Sequence, residues 1–390
     1  MYDIVGDIHG YADELELLLA VMGYQQIDGV WQHPSRQLIS VGDLIDRGPQ
    51  QQRVVDIIRS MQERGFAQVI LGNHEFNAIA FATVDDHGRP LRAHTAKNKK
   101  QHQKFLDLKD RDPIWYQETI NWFKSLPILL DLFELRVVHA CWHTESVEIL
   151  KNHTDDNLRL MPHVWFEAND PDHPLYGALE VLMKGWELQL PDNYSFNDKD
   201  GHLRKSIRTQ WWLEENSTYR DIALGVPDIE NLPDEAVSSE SMPGYDNKKP
   251  LFIGHYWLHA SPLPVIKSQN VVCVDWCVAD KGLLVAYRFS DEALINDNFI
   301  TVNARPDNHF STEEISLALY LADPMNTCCV ENCCTDEYFH IAVHARKSLS
   351  NNLSLYDSIE HALEAYFEDM VEPCHVSEVL ISLSKIPKIL

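Results

Sequence analysis

The first 75 residues alternate in a way that few architectures accommodate. Short apolar runs at 2–5, 37–41 and 67–71 are separated by segments whose apolar residues recur at helical spacing: Leu15, Leu18, Leu19 and Met22, then Val54, Ile57, Ile58 and Met61. A β-α-β-α-β order of this kind predicts a parallel sheet. Ligands of such sheets gather beyond the carboxyl ends of the strands. Those ends carry Gly6-Asp7-Ile8-His9-Gly10, Gly42-Asp43-Leu44-Ile45-Asp46-Arg47-Gly48 and Gly72-Asn73-His74-Glu75. Two later strand-like runs, 135–140 and 251–253, lead to His139 and to Gly254-His255. Five loops are thus expected to deliver oxygen and imidazole groups to one rim.

That set suits a pair of divalent cations about 3.5–4 Å apart, which clamp the attacking and leaving oxygens of an in-line phosphoryl displacement. Carboxylate, amide oxygen and imidazole are suitable ligands for manganese, iron or zinc. Charge makes the same point. The chain of 390 residues carries 33 Lys and Arg against 59 Asp and Glu, a net −26. Such a protein repels a polyanion unless its cations are local, so general nucleic-acid binding is excluded. Two dications against Asp7, Asp43 and a hydroxide leave a cluster near about +1, and Arg47 adds to it.

The motifs GDIHG, GDLIDRG and GNHE, followed by two isolated histidines, resemble those of the calcineurin-like metallophosphoesterases, in particular the phosphoprotein-phosphatase branch. The resemblance covers about residues 1–290. It implies an α/β fold, a two-sheet sandwich flanked by helices, and two divalent metal ions per chain, manganese foremost. By the family pattern Asp7 and His9 hold the first metal, Asp43 bridges, and Asn73, His139 and His255 hold the second. His74 acts as general acid oriented by Asp46, while Arg47 and Asn73 face the phosphate. The implied chemistry is direct attack on phosphorus by water activated between the metals. The family usually has His-Ala-Gly where this chain has His139-Ala140-Cys141, which puts the local turn in question.

Substrate class is less constrained. The first seventy residues, above all 2–49 with His33-Pro34-Ser35-Arg36, resemble bacterial bis(5′-nucleosyl)-tetraphosphatases, whereas Glu75 after GNH is closer to the protein phosphatases. A serine/threonine-phosphatase-like phosphomonoesterase is the leading expectation, with phosphoproteins as partners. Hydrolysis of dinucleoside polyphosphates is the alternative, and a non-catalytic phosphate-binding module is a remote third.

An insertion at about 150–250 is expected to be helical. It contains Lys184 and Glu187, then Asp198-Lys199-Asp200-Gly201, then Arg204 and Arg208, whose spacing of four would put both on one helix face as substrate-binding groups. Residues 291–390 read as a small, mostly helical C-terminal domain that could mediate self-association. Cys328-Cys329 and Cys333-Cys334 do not form a usual zinc pattern. His94, His102, His153, His163 and His173 have no ligand-like spacing and are expected to be surface or core residues. No membrane span or leader is expected, so the setting is expected to be cytoplasmic.

Overall fold

A computed structural model describes residues 1–198, 201–213, 217–260, 263–305, 310–351 and 353–387. The chain opens with β1 (Tyr2–Val5), α1 (Ala12–Val21), a hairpin of β2 (Gln25–Ile27) and β3 (Val30–Gln32), β4 (Gln37–Ser40), α2 (Gln51–Glu63) and β5 (Ala67–Val69). β1, β4 and β5 are parallel neighbours. The alternation of strand and helix in the sequence therefore gives the sheet that it predicts.

Three helices follow: α3 (Asn73–Ala82), α4 (Ala96–Arg111) and α5 (Pro113–Lys124). Their ends are written locally. Thr95 caps α4 by accepting the Asn98 N–H at 3.2 Å, and Asp112 caps α5 by accepting the Trp115 N–H at 3.0 Å with Pro113 next to it. The second sheet begins with β6 (Leu129–Asp131) and β7 (Arg136–Val138), after which comes α6 (Thr144–Lys151).

The insertion holds α7 (Pro174–Lys184), β8 (Glu187–Gln189), a small hairpin of β9 (Phe196–Asn197) and β10 (Leu203–Arg204), β11 (Ser206–Thr209), α8 (Tyr219–Ile222) and β12 (Ala223–Leu224). It is helical at α7, but β12, β11 and β8 form a three-stranded sheet over its own apolar cluster of Leu188, Ile207, Ile222 and Leu232. The expected helix carrying Arg204 and Arg208 is corrected here. Ser206-Ile207-Arg208-Thr209 alternates toward and away from the interior, a period of two that suits a strand with β-branched Ile207 and Thr209.

The chain then returns through β13 (Leu251–Ile253), β14 (Val271–Cys273), β15 (Asp275–Trp276), β16 (Leu283–Phe289) and β17 (Phe299–Asn303). One sheet runs β15-β16-β1-β4-β5 with β17 on β16, and the other runs β14-β13-β7-β6. Their facing sides meet in Ile4, Ile39, Val41, Ile70 and Tyr287 against Val137, Phe252 and Val272. This apolar interlayer is the core of the sandwich.

The sheet continues past residue 290, because β17 pairs with β16 from Leu283 opposite Asn303 to Tyr287 opposite Phe299. The helices α9 (Thr312–Ala322), α10 (Phe339–Ser350), α11 (Leu355–Phe367) and α12 (Pro373–Lys385) follow, with α12 packed on both α1 and α9. Nine of the ten α1 residues are buried, including Asp13, Glu14 and Glu16. Their partners come from both sides. Arg53 of α2 reaches Asp13 at 2.9 Å and Glu16 at 2.6 Å, while the Arg305 and Tyr356 N–H groups donate to Glu14 at 2.8 Å and Glu16 at 3.0 Å. Among the described residues, no helix is long and apolar enough to cross a membrane.

Candidate metal centre

Strand register sets the site. Val5 lies opposite Ser40 and Ser40 opposite Val69, so the loops after β1, β4 and β5 leave one edge side by side. β7 and β13 are parallel neighbours, and the Gly254 N–H donates to the His139 carbonyl at 2.8 Å. The His255 N–H donates to both oxygens of Asp7, at 3.2 and 3.0 Å. Gly254 permits this approach, since a Cβ there would run into the Asp7 carboxylate.

Asp43 stands at the centre. Its Oδ2 lies 3.8 Å from His9 Nε2, 3.8 Å from His74 Nε2 and 3.5 Å from His139 Nε2. The Nδ1 of His9 donates to the Ile45 carbonyl at 2.8 Å and that of His139 to the Val41 carbonyl at 2.7 Å. Each bond leaves an Nε2 lone pair facing the centre. Asn73 Oδ1 lies 3.1 Å from His139 Nε2 and 2.8 Å from His255 Nδ1. His9 Nε2 is buried and has no hydrogen-bond partner.

Electrostatics fit the same reading. Burial, then the neighbouring His74, holds His9 down to about 4, so it is neutral at pH 7. Burial, then Arg208, pushes His255 well below its usual value. Burial would raise Asp43, but His139 and His74 outweigh it and bring it well below the carboxylate range. Asp7 moves the other way, pushed well up by burial and then by Asp275 and Asp43. Asp43 is the ionised member of that pair, since three imidazoles face it. Burial would lower His139 as well, but Asp43 outweighs it and its pKa is raised. Imidazole nitrogens around buried, mutually repelling carboxylates are a donor set that divalent cations complete. His9, Asp43, Asp46, Arg47, His255 and Trp257 all have φ between 49° and 76°, left-handed backbone concentrated at this rim.

His74 is held from behind. Its Nδ1 lies 2.6 Å from Asp46 Oδ2, and the other Asp46 oxygen is 3.0 Å from His102 Nδ1. Burial would lower His74, but Asp43 and Asp46 outweigh it and its pKa is raised. Asp46 is held far below its usual value by the His102 and His74 bonds, against the effect of burial. His102 was expected to be a mere surface or core residue; its role beside Asp46 has no signal in local spacing, because it sits on α4, 56 residues away. Glu75 ties two loops together. Its carboxylate accepts the N–H groups of Asp43 and Leu44 at 2.8 Å, and of Ile45 and Gly72 at 3.2 Å.

These groups open into a cleft of about 800 Å³ that also takes in Arg47, Arg92, Tyr176, Lys184, Arg208 and Trp257. The Arg47 guanidinium lies over the Trp257 ring, 4.9 Å from its centre. Arg208 reaches the cleft; Arg204 does not. Arg204 is exposed on β10 and paired with Asp198 at 2.8 Å, because the hairpin turns it away from β11. Lys184 lines the cleft in an ion pair with Glu180, while Glu187 accepts from Ser206 Oγ at 3.0 Å outside it. Lys199 and Asp200 lie outside the described residues.

Two other expectations resolve. The backbone at Cys141 stays out of the left-handed region, so the turn after His139 does not require glycine. No cysteine joins a convergent ligand group among the described residues. His153 and His173, left without a role by spacing, stand edge to face at 5.5 Å beside Glu167, with His173 Nδ1 accepting the Leu175 N–H at the start of α7.

Residues 2–200 match the family described as calcineurin-like phosphoesterase. The chain belongs to that family, whose members imply a dinuclear divalent-metal site. Among individual proteins it is similar to the asymmetrical bis(5′-nucleosyl)-tetraphosphatase PrpE of Oceanobacillus iheyensis, at 36% identity over 126 residues, 29% of this chain and 50% of that protein. It is also similar to the symmetrical bis(5′-nucleosyl)-tetraphosphatase of Vibrio cholerae, at 31% identity over 191 residues, 46% of this chain and 62% of that protein. The chain thus spans between half and about three fifths of the length of these relatives. A solved serine/threonine phosphatase from Saccharomyces cerevisiae aligns at 15% identity and a TM-score of 0.40, over 80% of this chain and 81% of that one.

Proposed function

We propose that this chain is a metal-dependent phosphohydrolase that cleaves phosphate esters or anhydrides directly, with no covalent enzyme intermediate. The observation that carries the reading is Asp43 Oδ2 facing three imidazole Nε2 atoms at 3.5–3.8 Å on the floor of an arginine-lined cleft. Asp7, His9, Asp43, Asn73, His139 and His255 would hold two divalent cations, with Asp43 shared. When bound, such cations supply Lewis acidity toward phosphoryl oxygens and a lowered water pKa.

The chain's own residues do the rest. Asp46 holds the His74 imidazolium with Nε2 toward the cleft. There His74 gives a proton to the departing oxygen. Arg47 and Arg208 take the equatorial phosphoryl oxygens, where charge accumulates. The ring of Trp257 under Arg47 restricts that guanidinium to a narrow range of positions.

Phosphomonoester hydrolysis of the serine/threonine-phosphatase kind is supported by GNHE with its Glu75 clamp. Dinucleoside polyphosphate hydrolysis is a second reading, favoured by what the two bacterial relatives are named for. Manganese as the resident cation, a cytoplasmic setting and self-association belong to the same proposal. The cysteines are free, which suits a reducing compartment, and Leu321, Phe339 and Val343 are exposed on α9 and α10.

The test is elemental analysis with a substrate panel: p-nitrophenyl phosphate, a phosphoserine peptide and diadenosine tetraphosphate, each with manganese, iron or zinc. Two ions per chain and turnover of at least one substrate are expected. Protein that binds fewer than two ions and is inert on all three would overturn the reading.

A further inference from the structure

Three arginines reach the cleft without a carboxylate partner among the described residues: Arg47, Arg92 and Arg208. In a chain of net charge −26, unpaired cations collected in one cleft point to an anionic ligand. Two of them are absorbed by the phosphoryl group under attack. Arg92 is not.

Arg92 sits on the connector between α3 and α4, strapped back along α3 by its N–H to the Ala80 carbonyl at 2.9 Å. Its side chain is half-buried, and its hydrogen bonds come from Nη2 alone, to the neutral amide oxygens of Gln101 at 3.2 Å and Asn98 at 3.4 Å. Burial lowers its pKa, with Asp46 and Glu180 the acids that it feels. Both are engaged elsewhere, Asp46 by His74 and His102 and Glu180 by Lys184. A guanidinium partly stripped of water and met only by long amide contacts is poorly compensated as a brace. It is well suited to a ligand oxygen.

Its position decides which part of a ligand. Arg208 lines both the cleft and the adjoining hollow bordered by Gln210, Tyr256 and Leu258. Arg92 bonds to Gln101, which precedes His102 on α4, and His102 in turn holds Asp46, the residue behind His74. If His74 protonates the departing oxygen, Arg92 lies on the side to which the leaving group departs. We propose that Arg92 is an anion subsite for the leaving group, and that the substrate is one whose leaving group keeps a phosphate: a nucleoside polyphosphate. This rests on the phosphohydrolase reading above. Hydrolysis then breaks the bridging P–O bond and forms a new one to the water oxygen. His74 gives its proton to the departing oxygen and is restored by one hydrogen of that water, the other staying on the newly formed phosphate. Arg92 holds the charge left on the departing phosphate.

The experiment compares wild type with Arg92→Gln, Arg92→Ala and Arg92→Lys in the full chain loaded with manganese. The quantity read is kcat/KM on diadenosine tetraphosphate divided by kcat/KM on p-nitrophenyl phosphate, whose leaving group has no phosphate. The ratio is expected to fall at least fivefold in R92Q and R92A and to recover in R92K. Any smaller fall, or a larger loss on a phosphoserine peptide than on the tetraphosphate, overturns the subsite. Calorimetric binding of ADP and of inorganic phosphate reads the same contact without turnover. R92Q, which needs no repacking, is expected to weaken ADP at least fivefold more than phosphate, and equal weakening overturns the proposal. Wild type inert on every substrate would instead strike the phosphohydrolase reading, while ADP binding would still report on Arg92.

Discussion

Asp46 Oδ2 lies 2.6 Å from His74 Nδ1, and that contact fixes which nitrogen of His74 points into the cleft. The proton on Nδ1 is committed to Asp46, so only Nε2 can exchange one with a substrate. Replacing His74 by Asn removes the donor and leaves the metal ligands in place. Turnover is expected to fall by about 10²–10⁴ on alkyl phosphates and much less on p-nitrophenyl phosphate, whose leaving group needs little protonation. Equal losses on the two substrates would remove the acid role.

His102 supports the same pair from the far side, bonded to Asp46 Oδ1 at 3.0 Å. It touches no reacting atom and acts as a positioning residue. His102→Ala is expected to lower kcat by about tenfold, less than Asp46→Asn, because Asp46 keeps its bond to His74. The kinetic check is kcat against pH. Without His102 the Asp46 carboxylate stays ionised and is left to His74 alone, so the alkaline limb set by His74 should move to higher pH. A drop in kcat with that limb unmoved would mean simple loss of packing.

Glu75 accepts four backbone N–H groups from two loops with one buried carboxylate. Glutamine has a single acceptor oxygen, and its NH₂ would confront N–H donors. Glu75→Gln should destabilise the fold by about 2–4 kcal/mol in urea unfolding. Because the clamped loop carries Asp43, metal content after dialysis should fall as well.

Chelation should remove activity and lower Tm together. A cation present at 100 times its Kd stabilises the native state by about 2.7 kcal/mol, and that contribution disappears with the ion. Calorimetry before and after chelation, with manganese added back, measures it. An unchanged Tm would mean that the six ligands hold no ion.

Glu14 gives a pH-dependent signal away from the cleft. Burial, then Asp13, pushes its carboxyl up to about 7, and Oε2 has no hydrogen-bond partner. The folded protein holds this proton more tightly than the unfolded chain does. Its stabilisation is therefore complete below the unfolded value near about 4.5 and is lost as pH rises through about 7. Glu14→Gln mimics the protonated form. It should raise stability at pH 8, by at most about 3 kcal/mol, and have little effect at pH 4. A difference that does not grow between pH 5 and pH 8 would refute this.

The centre was legible because its chemistry sits where strands end. Gly-Asp and Gly-Asn at the tips of parallel strands are short sequences with a fixed geometric consequence, and the structure gathers Asp7, His9, Asp43, Asn73, His139 and His255 on one rim. Residues that serve the site from helices and long loops were not legible. His102 and Arg92 lie in polar stretches where nothing local distinguishes them from solvated surface. Trp257 reads as one more aromatic until its ring is seen beneath Arg47. The spacing of Arg204 and Arg208 suggested a helix because four residues make about one turn; alternation over 206–209 carried the opposing signal and was too short to weigh. The break in composition near 290 marks a change to helices, but strand pairing depends on a partner elsewhere in the chain, so β17 on β16 could not be read from it.

Helix α1 leaves the loop of Asp7 and His9 after only two residues, and it is enclosed on one side by the sheet and α2 and on the other by the tail helices. A wall common to two rooms transmits what happens in either. Loosening the tail would strip Glu14 and Glu16 of their amide donors at once, inside a helix that has almost no face turned to water. The tail is thus mechanically upstream of Asp7 and His9, although none of its described residues lines the cleft.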